Sequence, residues 1–432
     1  MLEIIVGIYT FYVLMKIYIS VMQIGYINDE KRRAPVLMSA GKYMVAANYA
    51  VAKEKVALLE TFVDYLMFLW WVFAGFRWLS SLIHTDSQIM EAVLFLFGFV
   101  AINYMVGLPF ELYRKFVIDK AFGFSKMTPK MFVIDLLKST LLFVIIGGAL
   151  FALLAWIITS YEMWWFWGFV AMFAVAVLAN VLMPTFMAMF NKFTPIEEGE
   201  LKEEIGRLME QAGLQNNGIF VMDASKRDSR LNAFFGGLGK SKRVVLYDTL
   251  LEKLNTKELL AVLGHELGHF THKDIWKNIA LMGLLLFVAF YLFGHLPDAL
   301  FTEMGVIPHA GVKIAMLILL LPVLSFLFTP FMSYVSRHNE YAADAYGSAV
   351  GGKEHLISAL LKLVTENKAF PKSHPLVIFF YHTHPPILER LKAMGYDATG
   401  VIVGEEDEKT IEELPVPNDG IFAFIDKKDD DR

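Results

Sequence analysis

Two histidines and a glutamate stand close together in His265-Glu266-Leu267-Gly268-His269. On a helix, positions four apart share one face, so His265 and His269 can present both imidazoles to one metal ion. Glu266 is offset enough to reach a water on that metal rather than the metal itself. Zinc lowers the pKa of such a water, and the carboxylate accepts its proton during attack on a peptide carbonyl. The chain has no cysteine. Structural disulfides, thiolate sites and thiol nucleophiles are therefore excluded, and any metal must be held by His, Asp or Glu.

Zinc in such a site takes a third protein ligand and keeps one position for water. A candidate stretch is Ser336-Arg-His-Asn-Glu-Tyr-Ala-Ala-Asp344. Glu340 and Asp344 are also four apart and share a face, so one can bind metal while the other orients a ligand histidine through its second ring nitrogen. A solvated, charged helix end is the plain alternative. His272, just beyond the motif, reads as a charge at a helix C-terminus rather than a fourth ligand.

The elements that must position these residues lie mostly in a membrane. Hydrophobic residues make up 56% of the 432 and charged residues 19%, and the mean hydropathy is +0.48. Soluble domains carry about a quarter charged residues, so this much apolar surface calls for lipid. A helix crosses the hydrocarbon core in roughly 20 residues. About seven stretches qualify, near Leu2–Ile24, Thr61–Ile83, Ile89–Phe110, Phe132–Thr159, Trp164–Phe190, Ile279–Leu296 and Val312–Tyr334. The first has no cleavage signature and reads as a retained helix.

Lys and Arg fall in alternate loops. Lys31, Arg32, Arg33, Lys42, Lys53 and Lys55 precede the second span, and Arg114, Lys115, Lys120, Lys126 and Lys130 precede the fourth. The loops around Asp86 and Glu162 and between Pro297 and Gly311 have none. Basic loops stay in the cytoplasm, so the N-terminus is expected outside, with both large polar segments and the C-terminus inside. That topology puts His295 and His309 outside and away from the metal. Arg77 and Asp64, in or beside spans, are charges expected to pair or to line a cavity. No basic stripe suits nucleic acid.

In the first polar segment, Glu197–Leu214 has helical periodicity, and Gly218–Met222, Leu231–Phe235 and Arg243–Tyr247 read as strands, with a turn at Gly236-Gly237. Asp248–Leu254 and Thr256–His272 read as helices, the latter with Thr256 as N-cap. The acidic, proline-punctuated stretch from Gly404 reads as a mobile tail.

The H-E-x-x-H motif followed by Ser336-Arg-x-x-Glu-x-x-Ala-Asp344 resembles the integral-membrane zinc proteases of the CAAX prenyl protease type I family. Further matching residues are Tyr43 and Lys53, Glu60-Thr-Phe, Leu108-Pro-Phe with Tyr113 and Phe116-Val-Ile, and Gly123-Phe. They continue at Asn191-Lys-Phe-Thr-Pro, Asp223 with Ser225-Lys-Arg, Asn232-Ala, Lys242 through Leu250, Thr383-His-Pro-Pro and Glu389-Arg390. The resemblance covers most of the chain. It implies one Zn2+ per chain held by His265, His269 and Glu340, with Glu266 as general base and Asp344 supporting the histidines. His384 would stabilise the tetrahedral oxyanion, Arg390 would anchor it or the substrate, and Asn232 and Ala233 would pair with the substrate backbone. It also implies that the helices enclose a large water-filled chamber.

The expected fold is an all-α polytopic membrane protein of about seven transmembrane helices, with a cytosolic-side α+β zincin-like catalytic domain. Five membrane helices and their loops would fill 1–190, the H-E-x-x-H segment 191–278, the last two membrane helices 279–334, the third-ligand helix and the rest of the catalytic part 335–403, and the tail 404–432. The expected activity is zinc endopeptidase cleavage of CAAX-type C-termini or of misfolded and membrane-associated proteins, by a monomer in a lipid bilayer, with peptide or protein substrates and no nucleic acid. The lack of cysteine and of a retrieval ending favours a bacterial cytoplasmic membrane over the endoplasmic reticulum. A transporter or channel using the histidines for ions is the rival reading, and a non-proteolytic scaffold is a second. Against the first, no span pair shows an interrupted, repeat-related pattern; against the second, Glu266 is retained beside both histidines.

Overall fold

A computed structural model describes residues 1–213, 218–236 and 243–397. Leu214, Gly237 and the expected tail from Gly404 lie outside the described residues.

In chain order the membrane helices begin with α1 (Leu2–Glu30), α2 (Ala40–Leu82), α3 (Gln88–Ala121), α4 (Pro129–Ser160) and α5 (Trp164–Ala188). There follow β1 (Phe193–Pro195), α6 (Glu200–Gln211), β2 (Ile219–Met222), β3 (Ala233–Gly236), β4 (Arg243–Tyr247), α7 (Asp248–Lys253) and α8 (Thr256–Thr271). The chain then forms α9 (Asp274–Gly294), α10 (Asp298–Glu303), α11 (Ala310–Gly351), α12 (Lys353–Glu366), α13 (Pro375–Tyr381) and α14 (Ile387–Ala393). Seven of these, α1–α5, α9 and α11, are long and apolar enough to cross a membrane.

Several helices overrun their apolar stretches. Helix α2 has 43 residues and α11 has 42, about twice what a bilayer core needs. Hydropathy finds only the lipid-facing part, whereas a backbone already hydrogen-bonded within the helix continues wherever packing supports it. Consequently Glu340 and Asp344 sit on the same unbroken helix as the seventh span.

The small sheet has strand order β1-β2-β4-β3. Strands β2 and β4 are parallel and the other pairs antiparallel. Val244 and Leu246 pack with Leu250, Leu259, Leu263 and Leu267, while Val245 packs with Met222 and Ala224 on the opposite face. Cover on both faces explains an apolar run where a half-exposed strand would alternate. β1 gave no sequence signal, being three residues long. β3 begins at Ala233 rather than Leu231, because pairing with β4 starts there; it lies at the sheet edge.

Helix α8 is capped by Asn255, not Thr256. The Glu258 N–H donates to Asn255 Oδ1 at 3.0 Å, and the Asn255 N–H donates to Glu258 Oε2 at 2.9 Å. This reciprocal arrangement requires the acidic residue three positions after the cap, a spacing that Thr256 does not have. Helix α6 is shorter at both ends than its periodicity suggested.

Glycines bring α8 against α11. An added Cβ at Gly268 would lie 2.8 Å from Ala343 Cα, one at Gly347 2.7 Å from the His265 nitrogen, and one at Gly351 2.3 Å from Ala261 Cα. Small residues four apart on both helices thus let the backbones touch. That contact fixes how the histidine helix sits on the Glu340 helix. Gly268→Val is expected to lower stability by about 1–3 kcal/mol and to reduce metal occupancy. Thermal denaturation and metal analysis of one preparation would check both, and wild-type values in each would show that the spacing tolerates a side chain.

Side chains also tie the segment around the sheet to the membrane helices. Arg227 donates to both oxygens of Asp135 on α4, at 3.0 and 3.2 Å, and Arg230 donates to Asp119 on α3 at 2.7 Å.

Candidate active site

His265 and His269 project from α8 with ring centroids 4.9 Å apart. Facing them from α11 is the buried Glu340, with Oε2 3.5 Å from His265 Nε2 and Oε1 3.2 Å from His269 Nε2. One ligand atom from each of the three lies within 4.8 Å of the others.

Each histidine is held from behind by a carboxylate. His265 Nδ1 lies 2.9 Å from Asp344 Oδ1, and His269 Nδ1 lies 2.9 Å from Asp274 Oδ2. A carboxylate at Nδ1 favours the tautomer with its proton there, leaving the Nε2 lone pair to face inward. Two such lone pairs and a carboxylate converge on one point. Glu340 Oε2 is also buried without a hydrogen bond, its nearest guanidinium nitrogen, Arg390 Nη1, being 3.4 Å away. Buried oxygens are rarely left unsatisfied, and a cation at the convergence point would satisfy this one. The donor set therefore fits a divalent metal.

The surroundings favour positive charge. Burial alone would lower the His269 pKa, yet hydrogen bonds to Glu340 and Asp274 push it up to about 9. Glu266 lies beside these groups, half-buried. Burial raises its carboxyl above the usual range, against the lowering effect of His265 and His269. A carboxylate moved toward neutrality is better matched to receiving a proton.

Asp274 was not found by sequence reasoning. It opens α9 after Lys273 reverses the chain with φ 58, and Lys277 Nζ joins Asp274 Oδ1 at 2.7 Å to Asn339 Oδ1 at 3.0 Å. An acidic residue in a first helical turn looks like an ordinary dipole partner; only the reversal aims it back at His269.

Arg390 is buried against the same carboxylates. Its Nε and Nη2 donate to the two Asp344 oxygens at 2.8 and 2.6 Å, and Nη1 lies 3.4 Å from Glu340 Oε2. It thus engages Asp344 and Glu340.

His384 reaches in from the loop after α13. Its Nε2 is 3.2 Å from Glu340 Oε1, its Nδ1 is 3.0 Å from Thr383 Oγ1, and the side chain is 63% exposed. Arg337, one turn before Glu340, donates to the carbonyls of Ile378 at 2.7 Å and His382 at 2.8 Å. The helix that presents Glu340 therefore also sets the loop that presents His384, a role for Arg337 that sequence did not suggest.

A cavity of about 460 Å³ opens beside the cluster, lined by Glu266, His384 and Arg390 and by Asn232 and Ala233 at the edge of the sheet. Just before them, Leu231 is pinned at both backbone groups by Asn367: its N–H donates to Oδ1 at 2.8 Å and its carbonyl accepts from Nδ2 at 3.1 Å. Asn367 acts there as a strand partner would.

Other candidates lie elsewhere. His272 is the exposed C-cap of α8, near the Tyr346 ring. His295 ends α9, and His309 begins α11, at the end of that helix remote from Glu340. Asp64 lines a cavity of about 600 Å³ among the membrane helices, with Lys16 and Asn103.

Comparison with known proteins agrees with this geometry. Residues 195–397 match peptidase family M48, and residues 31–192 match the CAAX prenyl protease N-terminal region of five membrane helices. CAAX prenyl protease 1 of Saccharomyces cerevisiae is 35% identical over 334 residues, covering 72% of this chain and 74% of that protein. The human CAAX prenyl protease 1 homolog is 31% identical over 406 residues, covering 80% and 81%. The crystal structure of S. mikatae Ste24p superposes with a TM-score of 0.85 at 30% identity, covering 91% of this chain and 99% of that one. Seven membrane helices, a small sheet and a clustered His-His-Glu set thus go with sequence similarity along most of the chain, and the protein belongs to the CAAX prenyl protease 1 family of membrane metalloproteases.

Proposed function

We propose that the protein is a zinc metalloendopeptidase in which His265, His269 and Glu340 hold one Zn2+. The observation that carries this is the convergence of three ligand atoms within 4.8 Å, with Glu266 on the next position of the same helix. Zinc there would polarise the scissile carbonyl and acidify a water toward neutrality.

The chain's own groups do the rest. Glu266 accepts the proton of the attacking water and passes it to the departing amine. His384, on a loop braced by Arg337, donates a hydrogen bond to the oxyanion from Nε2. Asp344 and Asp274 hold the two histidines in register, and Arg390 offsets the charge of Asp344 and Glu340. The substrate backbone pairs with the edge of β3 at Asn232 and Ala233. Such pairing reads main chain rather than side chains, which suits a broad substrate range.

The relatives' names point to CAAX-type C-termini; misfolded or membrane-associated proteins are the second substrate class that backbone reading supports. Membership of a protease family leaves the transporter and scaffold readings without support. The Lys and Arg distribution supports a metal site facing the cytoplasm. Absence of cysteine is the ground for a bacterial cytoplasmic membrane. We take the chain as a monomer, with its functional parts divided at 190, 278, 334 and 403.

Protein purified in detergent is expected to carry about one zinc per chain, the stoichiometry of a three-ligand catalytic site. Chelation should abolish peptide cleavage, and added zinc should restore it. No zinc as purified, with no activity on zinc addition, would remove the proposal.

A further inference from the structure

At the end of the membrane bundle remote from Glu340, two cavities meet. One is an apolar cleft of about 610 Å³ among α4, α5, α9 and α11, walled by Gly147, Phe151, Met172, Leu286 and Leu317. It extends along α4 from Ser139 to Ile158, about 28 Å of helix at 1.5 Å per residue. The other, of about 660 Å³, is polar and lies among the ends of α2, α3 and α4 and the start of α11. Ile158 and Lys313 line both.

The polar cavity is cationic. Arg77 and Lys313 face it with the imidazoles of His84 and His309, against the single carboxylate of Glu91. Among the described residues, neither the Arg77 nor the Lys313 side chain has a hydrogen-bond or ion-pair partner. Lys313 is half-buried one turn into a membrane helix. An unpaired charge there is costly and marks a site by default. Arg77 is seated by the turn at Gly305 (φ +67), where an added Cβ would lie 3.3 Å from Nη1. His309 Nε2 is 3.3 Å from Ser80 Oγ, while its Nδ1 is buried without a partner.

We propose that the joined cavities bind one anionic phospholipid of the leaflet remote from the metal site, with an acyl chain in the cleft and the phosphate on Lys313 and Arg77. Charge complementarity selects an anionic headgroup, and the apolar cleft beginning at the same lysine selects an amphiphile over a free anion. The other end of the cleft, at Ser139, Phe186 and Phe190, lies toward the sheet and the metal side. The lipid of a lipidated substrate is therefore the rival occupant, and it is the charge of Lys313 and Arg77 at this end that selects the phospholipid.

The test uses the full chain in detergent, titrated with equimolar dioleoyl phosphatidylglycerol and phosphatidylcholine and read by native mass spectrometry. One phosphatidylglycerol per chain is expected, favoured about tenfold or more over phosphatidylcholine, as one or two charge-assisted contacts would give. Arg77→Gln with Lys313→Gln should remove that preference while peptide cleavage in the same detergent persists. Leu317→Trp, which fills the cleft, should reduce retention of phosphatidylglycerol. Equal retention of the two lipids, or a preference that survives the double substitution, would overturn the proposal. So would retention unaffected by Leu317→Trp. Displacement by inorganic phosphate would make this a simple anion site, and displacement by a farnesylated peptide would reassign the cleft to substrate; either defeats the lipid assignment.

Discussion

Glu266→Ala is expected to keep its metal and lose peptide cleavage by about 10²–10⁴-fold, the usual contribution of a positioned general base. The two effects separate because Glu266 contributes no atom to the His265, His269 and Glu340 set. Helical offset turns its carboxylate toward the cavity that also holds His384 and the edge of β3. Removing it leaves both Nε2 atoms and both supporting carboxylates in place, so metal content should equal that of wild type. Metal analysis and single-turnover cleavage on matched preparations would decide. Cleavage within a few-fold of wild type would transfer the base role elsewhere. Joint loss of metal and cleavage would mean that Glu266 helps to hold the site together.

Glu340→Ala should lose the metal and reduce cleavage to background. Three ligands hold a catalytic zinc, and with Glu340 removed the histidines have only the carboxylates behind them. Loss of Asp274 is a graded comparison. Asp274→Ala leaves all three ligand atoms but frees the His269 ring, and removal of such a support typically weakens metal binding 10–100-fold. Competition with a chelator of known affinity would rank the variants, with Glu340→Ala weakest, Asp274→Ala intermediate and wild type tightest. Full metal content in Glu340→Ala would hand the ligand role to Asp344, four residues on and 2.9 Å from His265. Parity between Asp274→Ala and wild type would make that contact incidental.

The same residues show how far local sequence reaches. Spacing alone put His265 and His269 on one face and Glu266 beside it, because helical periodicity is a property of consecutive residues. Apolar runs located seven membrane segments for a similar reason: lipid demands about 20 of them in a row, whatever the partners. Glu340 and Asp344 were legible as a pair, though their division of labour came only with the family resemblance.

What the sequence could not supply depends on how distant segments meet. Asp274 matters because Lys273 turns the chain back, and Arg337 because the loop between His382 and Pro386 returns to α11. Gly268 and Gly347 are unremarkable in sequence; they matter because two backbones pass within contact of each other at those points. Arg390 pairs with Asp344 because α14 packs where it does, and the edge of β3 borders the cavity because β4, not β3, took the inner place in the sheet. Periodicity and composition record what a residue does to its own element. Tertiary packing decides which elements face each other, since burial rewards any complementary apolar surfaces and leaves the choice among them to the whole chain.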